Sequence, residues 1–322
     1  MTLLKLSIIA MVMPLLACGP LAISAEPTLA EKLGYKPTDK LLIINGDDVG
    51  MSHSANMATI SAMENGLMTS ATIMVPCPWF PEIANYAKTH PKSDFGIHLT
   101  HTSEWRFYRW GPVASKHLVP GLVDPDGYLW GDEDAVYKAS NPKEALIEGR
   151  AQIQKALNSG VDVTHIDSHM GTLQLNPDYI DTYLQLALEF NLPARMASAQ
   201  TLHRFGQSGL REKFAAKGIV FTDHFIYDEL PMAKNGVKKF WMQVIKDLKP
   251  GVTELYIHAQ LTTDEAKAIS GSWKTRTEEY ETFTNDPDVK KLIKDRGIIL
   301  IGYHALRDLQ RKTSPTRTTP TK

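Results

Sequence analysis

The stretch that decides the fold is residues 41–50, LLIINGDDVG. Four consecutive aliphatic residues predict a strand that is buried on both faces, as in a parallel sheet. The strand ends at two adjacent carboxylates, Asp47 and Asp48, which repel each other unless a cation lies nearby. A bound cation would use one carboxylate as a ligand and leave the other as a base. The alternative is a simple turn, in which an aspartate caps the helix that starts near Ser52.

Outward from this stretch, the length and charge of the chain favour one large α/β domain. The 322 residues carry a net charge of −1, so we expect no nucleic-acid partner. Strand-like and helix-like segments alternate eight times in residues 41–311, which predicts a single-domain, irregular, TIM-like (β/α) barrel. An open doubly wound sheet is the alternative, but no glycine-rich phosphate loop supports it. The predicted strands are residues 41–45, 71–75, 95–99, 163–167, 194–196, 219–222, 254–258 and 298–303.

The N-terminus, residues 1–25, is predicted to be a signal peptide. Its apolar run, residues 6–17, is too short to span a bilayer comfortably and follows Lys5. Residues 15–19 (LLACG) resemble a lipobox that would leave a lipid anchor at Cys18, whereas residues 23–25 (ISA) resemble an ordinary cleavage site. Either site predicts an exported protein that is periplasmic, extracellular or lipid-anchored. Residues 26–40 are predicted to be a polar lead-in, and residues 312–322 a disordered tail.

The connection after the third predicted strand, residues 100–141, is unusually long. Loops of this length are usually functional or disordered. Disordered segments are poor in aromatic residues, so we predict an ordered wall beside the site, with rings suited to the apolar faces of sugars. The alternative is a satellite core beneath the loop. The aromatic residues are Trp105, Phe107, Tyr108, Trp110, Tyr128 and Trp130.

Histidines end three further predicted strands, in residues 96–101 (GIHLTH), 164–169 (THIDSH) and 256–260 (YIHAQ). In a (β/α) barrel, the carboxyl ends of all strands open on one face, where the active site is built. We therefore predict a metal site formed by Asp48, His98 and His169. Three protein ligands with open positions for water are typical of a catalytic site.

The fourth strand carries His165, Asp167 and His169 on one face. His169 lies nearest the carboxyl end and is therefore the better ligand. Asp167 is expected to accept a proton from a ligand imidazole and to fix its tautomer, and His165 is expected to lie deeper in a supporting role. Two imidazoles and one carboxylate favour one Zn²⁺ ion, and Mg²⁺ remains open.

Four further residues are candidates for contact with a substrate. His101, Glu104 and Trp105 lie just beyond His98, where the long connection begins. As exposed loop residues, His101 and Glu104 would equally be compatible with no role. Arg276 lies in a segment that can fold over the site and pair with Asp47, or it is a surface cation.

The order of these motifs resembles that of the YdjC-like (ChbG-type) carbohydrate deacetylases. The resemblance extends from about residue 41 to residue 309 and rests on residues 45–50 (NGDDVG), 96–100 (GIHLT), 164–169 and 254–258 (ELYIH). It implies an irregular (β/α) barrel, a divalent metal and removal of an acetyl group from an N-acetylated sugar.

The resemblance also implies roles for individual residues. By position, Asp47 resembles the general base, and His258 resembles the acid that protonates the departing amine. Asp48, His98 and His169 resemble the metal ligands. An imidazole pKa near 6.5 would suit this acid at neutral pH.

One position departs from the family pattern, in which a further histidine commonly follows the ligand of the fourth strand by two residues. Here that position is Gly171. Chitin-type oligosaccharides are therefore not assumed, and the expected partner is an acetylated sugar or oligosaccharide. Two alternatives remain open: another metallohydrolase on the same barrel, such as an amidohydrolase or phosphoesterase, and an exported carbohydrate-binding protein with an inactive site.

Overall fold

The computed structural model describes residues 26–226 and 236–314. Within these residues, the core is a seven-stranded parallel sheet with the order β4-β3-β2-β1-β6-β5, and β7 pairs with β1 outside this path. The strands are β1 (Lys40–Val49), β2 (Ser70–Ile73), β3 (Phe95–Leu99), β4 (Val163–Ser168), β5 (His224–Ile226), β6 (Gly251–Ile257) and β7 (Ile299–Leu300).

Helices connect the strands and cover the sheet. In the described ranges they are α1 (Leu29–Lys32), α2 (His53–Asn65), α3 (Phe80–Thr89), α4 (Glu133–Ala139), α5 (Pro142–Asn158), α6 (Ile180–Glu189), α7 (Ala199–Arg204), α8 (Leu210–Ala216), α9 (Val237–Lys246), α10 (Asp264–Ile269), α11 (Trp273–Thr284), α12 (Pro287–Asp295) and α13 (Tyr303–Thr313). None of them is both long and apolar enough to cross a bilayer. Prolines begin α5 and α12, where a missing N–H costs no hydrogen bond.

Strand β1 is the centre of the sheet. Its aliphatic residues 41–44 are at most 1 % exposed, as expected for a strand that is covered on both faces. It pairs with β6 from Lys40 to Gly46, whereas β7 and then β2 lie along its other edge. Because all pairs are parallel, the carboxyl ends of β1, β3, β4 and β6 meet at one edge of the sheet.

Two of the eight predicted strands are wrong, and the sheet forms a half-barrel. Residues 194–196 contribute a single bridge from Ala194 to Ile166, and residues 219–222 contain no strand. Pro193 has no N–H to donate, which limits further pairing at this edge. One hydrogen bond of 3.3 Å, from the Ala194 N–H to the carbonyl of Val220, spans this part of the sheet.

The long connection is ordered around its own aromatic cluster. It contains α4, one turn of 3₁₀ helix at Pro120–Leu122 and a bridge from Val123 to Leu129. The rings of Trp105 and Trp110 lie 5.3 Å apart, and Trp110 is 3 % exposed. Trp110 belongs to the main hydrophobic core, and Trp105 packs against that core, so these rings extend the main core and do not form a separate satellite core.

The ends of the chain are only partly described. The predicted signal peptide and residues 315–322 of the predicted tail lie outside the described residues. Helix α13 continues to Thr313, two residues into that tail. The lead-in carries α1, which begins with a reciprocal capping box between Thr28 and Glu31.

The amino ends of the strands hold a compact cluster of charges around Asp94. This buried carboxylate accepts hydrogen bonds from the Thr164 hydroxyl at 2.5 Å and from the His304 main-chain N–H at 2.7 Å. The His304 ring lies 3.1 Å from Asp94 and 3.6 Å from Asp162, which also pairs with Arg307 at 2.8 Å. Hydrogen bonds to Asp162 and Asp94 raise the pKa of His304 to about 9.

Candidate metal centre

The end of β1 makes a sharp turn at the two carboxylates. Asp48 has a φ of 64° and Gly50 a φ of 89°, so both lie in the left-handed region. Aspartate tolerates this region better than most residues that carry a side chain. The Asn56 side chain accepts a hydrogen bond from the Gly50 N–H at 2.7 Å and holds the turn.

The predicted ligands Asp48, His98 and His169 come together here. Oδ1 of Asp48 lies 3.3 Å from Nε2 of His98 and 3.2 Å from Nδ1 of His169. One ligand atom from each of the three side chains lies within 4.8 Å of the others, and all three residues are buried. No donor among the described residues makes a well-aligned hydrogen bond to this Oδ1. A buried carboxylate oxygen left in this way between two imidazoles fits a shared cation.

Each of the two imidazoles also contacts a carboxylate on its other ring nitrogen. Nδ1 of His98 lies 2.6 Å from Asp167, and Nε2 of His169 lies 3.1 Å from both oxygens of Glu104. Such partners fix the tautomer and orientation of metal-binding histidines. Burial alone would lower the pKa of both rings, but the nearby carboxylates raise the pKa of His98 to about 9 and that of His169 well above its ordinary value.

The other aspartate of the pair, Asp47, is held by Arg195. The guanidinium donates two hydrogen bonds of 2.7 and 2.8 Å to Asp47 and lies 2.9 Å from Asp167. A third hydrogen bond, of 2.7 Å, reaches Glu254. Although burial favours the neutral acid, the charge of Arg195 holds the pKa of Asp47 well below its usual range. Asp47, His98 and Asp167 are themselves close enough to bind an ion, and Arg195 supplies a positive charge beside them.

Arg276 reaches the site from α11 and is 8 % exposed, so both readings that the sequence left open, a pairing with Asp47 and a surface cation, are wrong. Its Nη2 donates to Oδ2 of Asp48 at 2.7 Å, because Arg195 already occupies Asp47. The guanidinium lies 5.8 Å from the centre of the Trp105 ring, so Trp105 packs against Arg276. Burial would raise the pKa of Asp48, but Arg276 and the two imidazoles hold it well below its ordinary value.

His258 lies at the end of β6, beside the predicted ligands. Its Nε2 lies 3.9 Å from Oδ2 of Asp48, and its main-chain N–H donates to Glu279 at 2.8 Å. Burial and the charge of Arg276 lower the pKa of His258 to about 4. This value lies below the 6.5 that is usual for an imidazole.

Two further histidines lie away from the cavity. His101 is fully buried instead of exposed, and its Nε2 lies 3.0 Å from the carbonyl of Ala145, so it holds the start of the long connection. His165 lies deep, as predicted, and stacks on Tyr303 at 3.6 Å. A side chain at Gly96 would place its Cβ 2.6 Å from the His165 ring, so only glycine fits there. Burial lowers the pKa of both histidines to about 4.

These groups line a cavity of about 400 Å³ at the carboxyl edge of the sheet. Two stacked rings, Phe225 and Tyr256, form part of its wall with their centres 5.7 Å apart. The long connection contributes Glu104 and Glu133 to this wall, but none of its aromatic rings. The charged and polar residues of the centre that line it are Asp47, Asp48, His98, Glu104, His169, Arg195, His258 and Arg276.

A second cavity of about 520 Å³ adjoins the first. The two share Glu133, Met170 and Leu175 as walls. Phe205, which is 39 % exposed, and Tyr137 lie along the outer cavity. The two cavities therefore provide a groove that leads away from the centre.

Arg195 and Glu254 are the functional residues that sequence reasoning missed. Arg195 lies in a short apolar segment, and Glu254 is fully buried in β6. A charged residue inside an apolar segment signals a buried partner. The several carboxylates at the strand ends were a second signal, because carboxylates that are buried together need a positively charged partner nearby.

The fold and site define a parallel α/β protein with a buried carboxylate–imidazole centre at the carboxyl ends of its strands, whose side chains are close enough together to hold a metal ion. The family model described as YdjC-like protein matches residues 41–295, and the chain belongs to this family.

Relatives of known name agree with this membership. A carbohydrate deacetylase of Thermoanaerobacter pseudethanolicus is 30% identical over 83% of this chain and 100% of its own length. Another from Brevibacillus brevis is 31% identical over 82% and 99% of the two chains. A crystal structure from Enterococcus faecalis, suggested to be a cellobiose-phosphate cleavage protein, has a TM-score of 0.71 at 28% identity and covers 83% of this chain and 99% of that chain.

Proposed function

We propose that this protein is a metal-dependent hydrolase that removes acetyl groups from an acetylated sugar or oligosaccharide. The observation that carries the proposal is the convergence of Asp48, His98 and His169 around one unsatisfied carboxylate oxygen, beside Asp47 and His258. Relatives named carbohydrate deacetylase that match over almost their whole length support the reaction class.

Asp48, His98 and His169 would hold one divalent ion. Two imidazoles and one carboxylate suit Zn²⁺, and Mg²⁺ is the second choice because it prefers oxygen ligands. When bound, such an ion lowers the pKa of water and polarises a carbonyl group. The side chains around the cavity accept and donate the protons of the reaction.

Asp47 acts as the general base in this proposal. The two hydrogen bonds from Arg195 keep its carboxylate ionised and fix it in one orientation. The low pKa keeps Asp47 in the unprotonated form that can accept a proton from the attacking water, and it also makes Asp47 a weak base. General acid–base catalysis of this kind raises the reaction rate on the order of a hundred- to ten-thousandfold.

His258 acts as the acid that protonates the departing amine. Its low pKa makes it neutral before the reaction, so it must acquire this proton during turnover. Negative charge that develops on the substrate beside the ring would favour its protonated form. A protonated imidazole with a low intrinsic pKa then gives the proton up easily.

The cavity suits a sugar. Phe225 and Tyr256 offer apolar faces to a pyranose ring, and the charged groups opposite can bind hydroxyl and acyl oxygens. The adjoining outer cavity has room for a further sugar residue. Gly171 lies on the inner wall, where the family pattern has a histidine, so the preferred sugar is expected to differ from that of chitin-type substrates.

We further propose that the protein is exported, on the evidence of residues 1–25 alone. Mass spectrometry of the mature N-terminus separates a lipid-modified Cys18 from cleavage after Ala25. An unprocessed Met1 in the native host would contradict export.

The decisive experiment is an acetate-release screen over N- and O-acetylated sugars and oligosaccharides, with and without a chelator. We expect release that the chelator stops and that added Zn²⁺ restores. Release that survives complete metal removal, or no release from any acetylated sugar, would contradict the proposal. Sugar phosphates belong in the same screen because of the name suggested for the Enterococcus structure.

A further inference from the structure

We propose that Glu104 is a positioning residue of the metal centre, which fixes His169 so that Nδ1 serves as the ligand atom. This inference rests on the proposed metal site. It gives Glu104 a different role from the substrate contact that the sequence predicts. Glu104 lies in the first part of the long connection, so this connection helps to build the metal centre.

The geometry leaves Glu104 little freedom for another role. Both of its carboxylate oxygens lie 3.1 Å from Nε2 of His169, on the side of the ring that faces away from Asp48. An ionised carboxylate can only accept a hydrogen bond, so this contact puts a proton on Nε2 and leaves the lone pair of Nδ1 available for a metal ion.

The other ligand histidine has the mirror-image arrangement. His98 contacts Asp167 through Nδ1 and faces Asp48 through Nε2. The two histidines thus use opposite ring nitrogens towards the same Asp48 oxygen. Each histidine needs a carboxylate that selects its tautomer. Asp167 does this for His98, and Glu104 does it for His169.

The backbone next to Glu104 is held firmly. Ser103 is fully buried, and its main-chain N–H donates to the carbonyl of Trp130 at 2.6 Å. Its hydroxyl accepts hydrogen bonds from the main-chain N–H of Trp110 at 3.0 Å and from Arg109 Nε at 3.2 Å. The main chain of the long connection, together with Arg109, therefore anchors the residue next to Glu104.

The test is Zn²⁺ affinity, measured without substrate by competition with a chromophoric chelator. We expect Glu104→Ala to weaken Zn²⁺ binding by about 10- to 100-fold, the usual effect of losing such a partner. Glu104→Gln should recover part of the loss, because its amide oxygen still accepts from Nε2. In Co²⁺-loaded protein, the visible absorption bands should change in Glu104→Ala, since they report the coordination geometry.

The matched control is Asp126→Asn, which alters an exposed carboxylate of the same long connection that lines neither cavity. It should leave Zn²⁺ affinity unchanged. Wild-type Zn²⁺ affinity in Glu104→Ala would overturn the inference, and a raised KM at unchanged affinity would assign Glu104 to substrate contact instead.

The inference and the proposed function can fail separately. A wild-type protein that binds Zn²⁺ but releases no acetate contradicts the function and still tests Glu104 through metal affinity. A wild-type protein that binds no Zn²⁺ contradicts both. Thermal unfolding of the metal-free variants checks that any loss of affinity is not a loss of fold.

Discussion

The two ends of the sheet both place a buried aspartate beside histidines, but the hydrogen bonds of the two aspartates differ. At the amino end, Asp94 accepts hydrogen bonds from Thr164 and His304, and the imidazole lies between Asp94 and Asp162. At the carboxyl end, Oδ1 of Asp48 has no aligned donor although two imidazoles lie within 3.3 Å.

This difference separates a structural cluster from a candidate site. Burying a polar group without a partner costs free energy, so folds that lack a functional need satisfy such groups. At the amino end, both oxygens of the Asp94 carboxylate accept hydrogen bonds, although Nη1 of Arg307 in the same cluster has no aligned acceptor. The carboxyl-end cluster is left incomplete in a way that a cation would complete, beside a cavity that can admit a substrate.

The largest expected effect is that of His98→Ala. Removing this ligand should abolish stoichiometric Zn²⁺ binding and reduce acetate release on the order of a thousandfold or more, because the ion supplies several kcal/mol of charge stabilisation. Metal analysis and a rate assay measure both effects. The control is His90→Ala, an exposed histidine remote from the centre, which should behave as wild type. Normal turnover in His98→Ala would remove His98 from the ligand set.

A smaller effect is expected for Asp47→Asn. The amide keeps the shape of the carboxylate and can still accept from Arg195, but it cannot take a proton. We expect kcat to fall by about a hundred- to ten-thousandfold. Bound metal, measured by elemental analysis, should stay at the wild-type level. Loss of the metal together with the rate would make Asp47 a ligand instead of a base.

At the other end of the sheet, Asp94→Ala should affect stability without affecting chemistry. The change leaves the Thr164 hydroxyl and the His304 N–H without their charged acceptor, which costs about 2–3 kcal/mol of unfolding free energy. Urea unfolding measures this loss, while kcat of the folded variant should match wild type. A fall in kcat at conditions where the variant is fully folded would mean that the two ends are coupled.

The last expected effect is a pH dependence of stability at the amino end. The pKa of His304 is raised from 6.5 to about 9 in the folded protein, so the folded state binds this proton more tightly than the unfolded state. The stabilisation is fully present below pH 6.5 and is lost as the pH rises through about 9. Unfolding free energies of wild type and His304→Gln should therefore differ more at pH 6 than at pH 9.5. An equal difference at both values would show that the proton plays no part.

Much of this architecture could be predicted from local sequence. The central strand and the histidines at the ends of β3, β4 and β6 each carry a short pattern of aliphatic residues that stops at a polar group. Parallel pairing then brings those polar groups to one edge, which is why Asp48, His98 and His169 could be grouped without coordinates.

Contacts that depend on long-range pairing could not be predicted. Arg195 reaches Asp47 from 148 positions away along the chain, and Arg276 reaches Asp48 from 228 positions away. The choice between two adjacent carboxylates is decided by three-dimensional geometry. The same is true of Glu104, whose partner His169 lies 65 positions further on.

The left-handed backbone of Asp48 limits how this centre can be altered. Glycine, asparagine and aspartate occupy that conformation with the least strain, and aspartate is the only one of them with a carboxylate. Exchanging residue 48 for glutamate, to retune the centre for a different ion, would add backbone strain of roughly 1–2 kcal/mol to any change in ligand chemistry. Efforts to redesign its ion preference would therefore do better to begin at His98 or His169, whose backbones leave more freedom of choice.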